Sequence, residues 1–267
     1  MLRVARQLLH FSPLLGTLTT RELKARYRGS ILGFLWSLAN PLLLLAVYTF
    51  VFSVIFQPRT AGADPYALFM VSGLFPWVWL STSLLEGTLS LISNSGLLRK
   101  AVFPAELLPM VSVLSNLVHL LLAVPIVAAA LLTGRVLHYP VGGWASFLMP
   151  AVILLELPMV AGLALGLSAL NVHFKDVRDL LANLLTLLFF LTPVIYPLDT
   201  LRKYPLLYWG VRLNPFTPFT LAYQETLFRG QVPSPYLWTQ MAIVSLVDWC
   251  VGAWLFDRLR ETLVEAA

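Results

Sequence analysis

The chain has 267 residues, of which 58% are hydrophobic and only 12% are charged, and its formal net charge is +5. A soluble domain carries about a quarter charged residues, so this composition excludes an ordinary water-soluble domain. Basic residues of a multi-spanning protein usually lie in its cytoplasmic loops, so the net charge does not indicate nucleic acid as a partner. The composition predicts an all-α integral membrane protein.

Motifs for the common cofactor and metal sites are missing from the sequence. Cys250 is the single cysteine, which excludes a disulfide framework and a thiolate metal cluster. There is no GxxxxGK[ST] phosphate loop, no GxGxxG dinucleotide fingerprint and no HExxH zinc motif. We therefore expect a chain that is not an enzyme and has no catalytic residues, metal or cofactor of its own.

The N-terminal segment, 1–30, carries a basic amphipathic pattern. Ser12-Pro13 is typical of a helix start, and one face then carries Leu14, Leu15 and Leu18. The opposite face is polar and carries Thr19, Thr20, Arg21 and Lys24. The pattern favours a helix that lies in the cytoplasmic membrane interface over a disordered basic tail.

Six segments are apolar enough to cross a bilayer core, which takes roughly 20 residues. These predicted spans are 31–56, 66–93, 107–133, 145–170, 180–198 and 236–256. The ionisable groups within them are Glu86, His119, Glu156 and Asp248. Such scattered groups are more commonly hydrogen-bonded contacts between helices than a proton relay. Gly162 and Gly166 form a GxxxG pattern, which permits close helix packing but also occurs by chance.

The distribution of Lys and Arg predicts the orientation, because these residues favour cytoplasmic loops. Twelve of the 18 lie in the N-terminal segment, the second and fourth loops and the segment after the last span. The other six lie in loops on the opposite side. We therefore expect both termini to be cytoplasmic.

The outer segment between the fifth and sixth spans, 199–235, is long for a connection and rich in aromatic residues. A solvated loop has no need of such side chains. Short re-entrant helices that dip into the outer half of the membrane explain them, because non-helical backbone at that depth must be buried in protein. An aromatic belt on a surface loop is the alternative.

A short helix is predicted between Asn94 and Pro104, on the cytoplasmic side. The apolar residues that share one of its faces are Leu97, Leu98, Ala101 and Val102. Arg99 and Lys100 lie off that face. Such an apolar ridge fits a groove on a partner protein, or it rests on the membrane surface.

Several segments stand out in order along nearly the whole chain: 21–41, 97–109, 173–179, 191–197 and Asn214-Pro215-Phe216. Together they resemble the ABC-2 family of transporter permeases, in its branch of O-antigen, capsule and wall teichoic acid exporters. In that branch a basic amphipathic helix runs into the first span, as 21–41 does. Lys175 departs from the pattern, because an arginine is more usual there. Each motif is modest, and the set is specific.

The resemblance implies a homodimer bound to two copies of a separate ATPase subunit in the plasma (inner) membrane. ATP and Mg would lie on that partner chain, and the substrate would be an undecaprenyl-linked, O-antigen-like polysaccharide. The resemblance also assigns the coupling to the ATPase to Leu97, Leu98, Arg99, Lys100, Val102 and Phe103.

An exporter of a long polymer needs a continuous conduit, and aromatic rings pack well on sugar faces. Candidate conduit aromatics are Tyr48, Phe52, Phe189, Phe190 and Tyr196, each with a lipid-facing or core position as the alternative. The candidate residues for binding the lipid pyrophosphate at the entrance are Arg21, Lys24, Arg26 and Arg28. Attraction to anionic membrane lipids in general is their alternative role. Candidate residues of an outer gate are Tyr208, Trp209, Phe216 and Phe219.

Two other functions stay open on sequence alone. An ABC-2 permease for a small drug or another lipid would share the fold and the coupling loop. A membrane-embedded transferase would need a cluster of His, Asp or Glu at one membrane face, for which Asp176 and Asp179 are the nearest candidates. These two residues look more like acidic groups at the start of a helix.

Cysteine labelling in a Cys250→Ser background tests the predicted topology. We expect Arg135→Cys and Arg202→Cys to react with an impermeant maleimide in intact cells. Arg99→Cys and Arg178→Cys should react only after the cells are opened, because their loops carry the cytoplasmic excess of positive charge. Labelling of Arg99→Cys in intact cells would contradict the orientation.

Overall fold

The computed structural model describes residues 2–30, 33–51, 55, 63–100 and 103–260, and all regular structure within them is helical. The first helices are α1 Leu2–His10, α2 Ser12–Arg26, a 3-10 helix Gly33–Leu35 and α3 Trp36–Phe50. The central helices are α4 Tyr66–Ser93, α5 Ser95–Lys100, α6 Leu107–Val136, a 3-10 helix Trp144–Leu148, α7 Met149–His173 and α8 Val177–Leu191. The last are a 3-10 helix Leu198–Lys203, α9 Pro205–Leu213, α10 Thr217–Tyr223, a π-helical turn Gln224–Phe228 and α11 Pro235–Leu259.

Four helical segments in the described residues are long and apolar enough to cross a membrane. They are Tyr66–Ser93, Leu107–Val136, Trp144–His173 and Pro235–Leu259. These segments coincide with the predicted second, third, fourth and sixth spans. The predicted first span, 31–56, is described only at 33–51 and 55, where the structure has the shorter apolar helix α3.

The predicted fifth span, 180–198, corresponds to α8, which begins earlier and ends at Leu191. A proline disfavours helical backbone at the residue before it. Thr192 precedes Pro193, and it is accordingly extended, with ψ of 138°. The helix therefore ends before the predicted boundary at residue 198.

Helix α4 runs the length of the bundle and defines its two ends. With 28 residues it is about 42 Å long. At its start the Tyr66 hydroxyl donates to the carbonyl of Ile195, and beyond its last turn lies α5. Near its last turn, α2, α4, α5 and α6 line a common groove. We call this end the α2 end and the opposite one the α9 end.

The fold separates the positively charged loops into two groups. Arg260 donates to Gln7 Oε1 at 3.5 Å, which brings the end of α11 to α1 at the α2 end. The backbone N–H of Arg178 donates to Asn171, whose side chain donates to the carbonyl of Thr88 near the end of α4. Arg135 and Arg202, by contrast, lie in elements of the α9 end.

The structure has a helix where Ser12-Pro13 predicts one, and this helix, α2, packs against α6. One residue was assigned to the wrong face, because Thr19 is buried instead of lying on the polar side. Its hydroxyl donates to the carbonyl of Leu15 at 2.8 Å, so burial leaves no polar atom unpaired. The preceding helix α1 was not predicted, and it buries Val4.

Helices α7 and α11 approach most closely where Gly162 faces Gly252. A Cβ on Gly252 would overlap the carbonyl of Gly162 and lie 2.9 Å from its Cα. A Cβ on Gly162 would lie 2.5 Å from the Cα of Trp249. These neighbours are backbone atoms, which have no rotamer that moves them aside. The GxxxG pattern therefore marks a real helix contact, to which Gly166 adds a Cβ distance of 3.2 Å from Gly252 Cα.

We expect Gly252→Ala to destabilise the purified protein, because the added methyl group would force α7 and α11 apart. Overpacking of this kind costs about 1–3 kcal/mol. The measurement is thermal unfolding in detergent, followed by intrinsic tryptophan fluorescence.

The matched control is Gly210→Ala on α9, where no atom lies within 4 Å of the added Cβ. It should be neutral or slightly stabilising, because alanine is the better helix former. Equal unfolding temperatures for the two variants would argue against close α7–α11 packing.

Candidate transport and coupling sites

A polar cluster joins the end of α2 to α4 and α6. The Arg26 guanidinium donates to Glu86 Oε2 at 2.6 Å and to Asn116 Oδ1 at 3.0 Å. The Asn116 amide in turn donates to the same Glu86 oxygen at 2.6 Å. The side chains of Arg26 and Glu86 are 26% and 41% exposed, so the ion pair is partly desolvated. We call these three residues the Arg26 cluster, and it fixes the end of α2 on the bundle.

Tyr27 adds a second contact between the same elements. Its hydroxyl lies 2.6 Å from Nε2 of His119, and the two rings stack with centroids 5.8 Å apart. His119 Nδ1 lies 3.0 Å from the carbonyl of Ser115, so a neutral ring donates there and accepts from the hydroxyl at Nε2. Burial raises the pKa of Tyr27, which keeps its hydroxyl a donor.

A cavity of about 530 Å³ opens beside the Arg26 cluster, between α3, α4 and α6. Its polar lining includes Arg26, Tyr27, Ser37, Glu86, Asn116 and His119. Its apolar lining includes Trp36, Pro41, Leu44, Phe75, Trp79 and Leu120. A cavity lined by both kinds of side chain matches the chemistry of an amphiphile.

The four basic residues predicted for the entrance are not equivalent. Arg21, Lys24 and Arg28 line an open groove of about 890 Å³ along one side of α2. Arg21 and Lys24 are three residues apart and share one face of α2, while Arg28 reaches the same groove from the turn that follows the helix. Arg26 lies off that face, and its guanidinium already has Glu86 as a partner. Three of the four therefore remain accessible to an anion along the same groove.

The predicted coupling segment begins as a helix, α5, at the α2 end. Leu97 is 37% exposed there and lines a groove of about 400 Å³ together with Leu18 and Arg21 of α2. Phe103 is half-buried and packs against the core. Val102 and the side chains of Leu98, Arg99 and Lys100 lie outside the described part of the chain. Of the two predicted coupling residues whose side chains the structure describes, Leu97 is thus the more exposed.

The conduit aromatics divide between packed and exposed positions. Phe189 contacts Trp77 and Phe190, with ring centroids 5.9 and 5.3 Å apart. Phe190 is 58% exposed, and its carbonyl accepts from the Tyr196 hydroxyl at 3.1 Å. Tyr48 on α3 is half-buried against the core, and Phe52 lies outside the described residues. The structure thus groups Phe189, Phe190 and Tyr196, near the α9 end of α8.

The gate candidates also fall into two groups. Phe216 and Phe219 are buried, and the ring of Phe216 meets Trp77 edge to face at 5.9 Å. Tyr208 and Trp209 lie on α9 beside Arg212, and Trp209 is 56% exposed. The first pair is part of the helix packing, and the second pair lines the surface of the α9 end.

Three of the four ionisable groups predicted within the spans have a hydrogen-bond partner from another element. Glu86 and His119 are bonded as described above. Glu156 is buried on α7 and accepts from the Tyr223 hydroxyl at 2.7 Å. This last bond holds α10 against α7, which agrees with a structural contact between helices.

Comparison with known proteins identifies the family. Residues 13–228 match the ABC-2 type transporter family. The chain belongs to this family. The O-antigen export system permease protein RfbA of Myxococcus xanthus is 36% identical over the full length of both chains. The protein of the same name from Klebsiella pneumoniae is 29% identical over 94% of each chain.

A more distant relative is the polysialic acid transport protein KpsM of Escherichia coli. It is 22% identical over 91% of this chain and 92% of its own length. All of these relatives handle polysaccharides by name, and the ABC-2 family supplies the membrane subunits of ABC transporters. The chain is therefore a permease of the polysaccharide-export branch.

Sequence reasoning missed three residues of these candidate sites in the permease. Asn116 completes the Arg26 cluster. A polar amide within an apolar span could have marked it as a contact between helices, as the carboxylate of Glu86 did. Trp77 joins Phe189 to Phe216, but an aromatic residue among other apolar residues gives no such signal. Arg212 is one of four Lys and Arg residues in 199–235. Its signal was its position four residues after Tyr208 and three after Trp209, which puts it beside both rings on one helix.

Charge exchange tests the Arg26 cluster. Arg26→Glu should lower the unfolding temperature of the permease, because it places two carboxylates together beside Asn116. Arg26→Glu combined with Glu86→Arg should recover much of the loss. For a partly exposed pair we expect an interaction on the order of 1 kcal/mol. Thermal unfolding of the purified variants gives the double-mutant cycle.

Lys24→Glu is the matched control, because Lys24 lies on the open groove of the same helix, away from Glu86. It should change stability little, and Glu86→Arg should not rescue it. If the double variant is no more stable than Arg26→Glu alone, the Arg26 cluster does not anchor α2.

Proposed function

We propose that the chain is the membrane subunit of an ABC exporter that moves an undecaprenyl-linked, O-antigen-like polysaccharide out of the cytoplasm. The observation that carries this proposal is the full-length identity of 36% to an O-antigen export permease. The basic groove along α2 supports the lipid-linked part of the substrate, since Arg21, Lys24 and Arg28 suit an anionic pyrophosphate. Arg26 would join them only by exchanging its Glu86 partner for phosphate.

Energy would reach this chain through contact with a separate ATPase subunit. The sequence has no phosphate loop, so ATP and Mg would lie on that partner, in two copies per complex. The apolar face of α5 would enter a groove of the ATPase at the α2 end. A shift of α5 would reach α2 through the groove that both line, and α4 through direct packing.

A second copy of the permease would complete the conduit. On α8, the exposed apolar residues lie on one face: Leu180, Leu184, Leu187, Phe190 and Leu191. On α3, a comparable exposed set is Leu42, Leu43, Val47 and Phe50. These faces would meet their equals across a two-fold axis, with Tyr48, Phe189, Phe190 and Tyr196 towards the polymer.

The membrane topology belongs to the same proposal. The segment around α3 and the segment of α8 with residues 192–198 would supply the first and fifth of six spans. The α2 end would face the cytoplasm, with α2 in the interface and both chain termini on that side. Residues 199–235 would dip into the outer half of the membrane, where Phe216 and Phe219 would seal the resting conduit and Tyr208 and Trp209 would border its mouth.

Leu97→Asp tests the coupling, because it places an unpaired charge in the proposed ATPase contact. Such a burial costs about 3–5 kcal/mol, so the ATPase should bind at least about a hundredfold more weakly. We expect tagged permease carrying this change to recover little ATPase on purification, and cells to export little polymer. Val102→Asp and Phe103→Asp should have the same effect, although Phe103 also packs within the permease.

Leu137→Asp is the control, because Leu137 is 63% exposed and follows α6 at the α9 end. It should leave ATPase recovery and export unchanged. If Leu97→Asp leaves export and ATPase recovery normal, α5 is not the contact with the ATPase. Surface polymer in cells that lack the permease and any substitute for it would contradict the proposed function itself.

A further inference from the structure

The α9 end contains a pocket of about 260 Å³, and of its lining residues only Tyr208 has a part in the transport proposed above. Its walls come from the 3-10 helix Leu198–Lys203, from α9 and α10, and from the first turns of α11. Most of its lining is polar, and the charged and amide groups are Asp199, Arg202, Arg212, Glu225, Arg229 and Gln240. We call it the α9-end pocket.

Aromatic rings surround one of the cations of this pocket. The Arg212 guanidinium carbon lies 5.9, 6.0 and 5.4 Å from the ring centroids of Tyr208, Trp209 and Tyr236. Arg212 also donates to the Tyr208 hydroxyl at 3.0 Å, and Gln240 donates to the Tyr236 hydroxyl at 3.0 Å. The rings fix the guanidinium in place, while a guanidinium has five N–H donors in all.

The ion pairs of the pocket are open to solvent. Arg202 lies 2.9 Å from Asp199, and their side chains are 71% and 57% exposed. Arg229 lies 4.0 Å from the other oxygen of Asp199. Exposed ion pairs of this kind add little to the stability of the fold. Stability alone therefore does not explain why so many charged groups are gathered in this pocket. Their exposed atoms are available to a ligand.

We propose that the α9-end pocket binds one or two sugar residues of the exported polymer as it leaves the conduit. Carboxylates, guanidinium and amide groups together match the donors and acceptors of sugar hydroxyls. Tyr236 is also 55% exposed, and the accessible part of its ring matches the apolar C–H face of a sugar ring. The inference rests on the proposed function, both for the polymer and for the external position of the α9 end.

The charge of the pocket adds a preference among sugars. Three arginines face two carboxylates among its titratable lining groups, which leaves one positive charge in excess. Acidic sugars therefore fit at least as well as neutral ones, since arginine pairs with a carboxylate in a bidentate geometry. A sugar held here opposes return of the polymer into the conduit.

Ligand binding to the purified full-length permease in lipid nanodiscs tests this site. The probe is a set of oligosaccharides released from the polymer that the host cell exports, observed by saturation-transfer NMR. We expect wild type to bind them with a Kd of roughly 1 mM, and Arg212→Gln and Tyr236→Leu to weaken binding by about tenfold or more. The control changes Arg135→Gln and Trp144→Leu alter exposed residues outside the pocket and should leave binding unchanged.

Absence of binding to wild type, or equal binding by wild type and the two pocket variants, overturns the inference. Thermal unfolding shows which variants are folded, and either folded pocket variant alone decides the result. Failure of the inference is distinct from failure of the proposed function. In the first case wild-type cells export polymer although the pocket binds no sugar, and in the second case the polymer reaches the surface without the permease.

Discussion

The ion pair between Arg26 and Glu86 is the constraint on which the cytoplasm-facing half of the proposed mechanism depends. A basic helix at a membrane surface is otherwise free to slide along the headgroups, since its attraction to anionic lipid has no fixed geometry. Two charge-assisted bonds from one guanidinium, to α4 and to α6, give the end of α2 a defined position. Because Tyr27 and His119 extend the contact, the chain enters α3 from a fixed point.

This anchor also explains why the basic residues of α2 divide into two kinds. Arg26 faces the bundle and is bonded, while Arg21, Lys24 and Arg28 face an open groove. Positioning and the proposed anion recognition would therefore use different sides of α2 and of the turn that follows it. Arg26 and Glu86 also line the groove between α2 and α5, so that any movement of α5 by a partner would occur beside this anchor.

Helix α4 connects this half with the other one. It carries Glu86 towards the α2 end and, ten and nine residues earlier along the chain, Pro76 and Trp77. Trp77 contacts both Phe189 of α8 and Phe216 before α10. Gly73 lies one turn further, where a Cβ would come 3.2 Å from the Thr220 side chain. One helix thus supplies Glu86 of the anchor and contacts both the conduit aromatic Phe189 and the buried gate candidate Phe216.

The sequence was sufficient for the helical class, the four long spans and the position of α2, because length and apolar composition determine them directly. The sequence was less reliable for features that depend on tertiary contacts. Thr19 is polar, yet it is buried because its hydroxyl can bond to the preceding turn. The end of α8 depends on Pro193, whose effect on the preceding residue outweighs the apolar character of the stretch. The contact between Gly162 and Gly252 needs a partner helix that no local pattern identifies.

The four gate candidates show how a similar composition serves two physical tasks. Phe216 and Phe219 are buried against other helices, so their contribution is close packing that excludes water and ions. Tyr208 and Trp209 surround a cation at the surface, where an amphipathic ring can meet both water and a ligand. A seal needs the first arrangement, and recognition of a passing sugar needs the second. Their separation along one short segment puts the proposed recognition surface close to the proposed seal, so that polymer leaving the seal would meet the recognition surface.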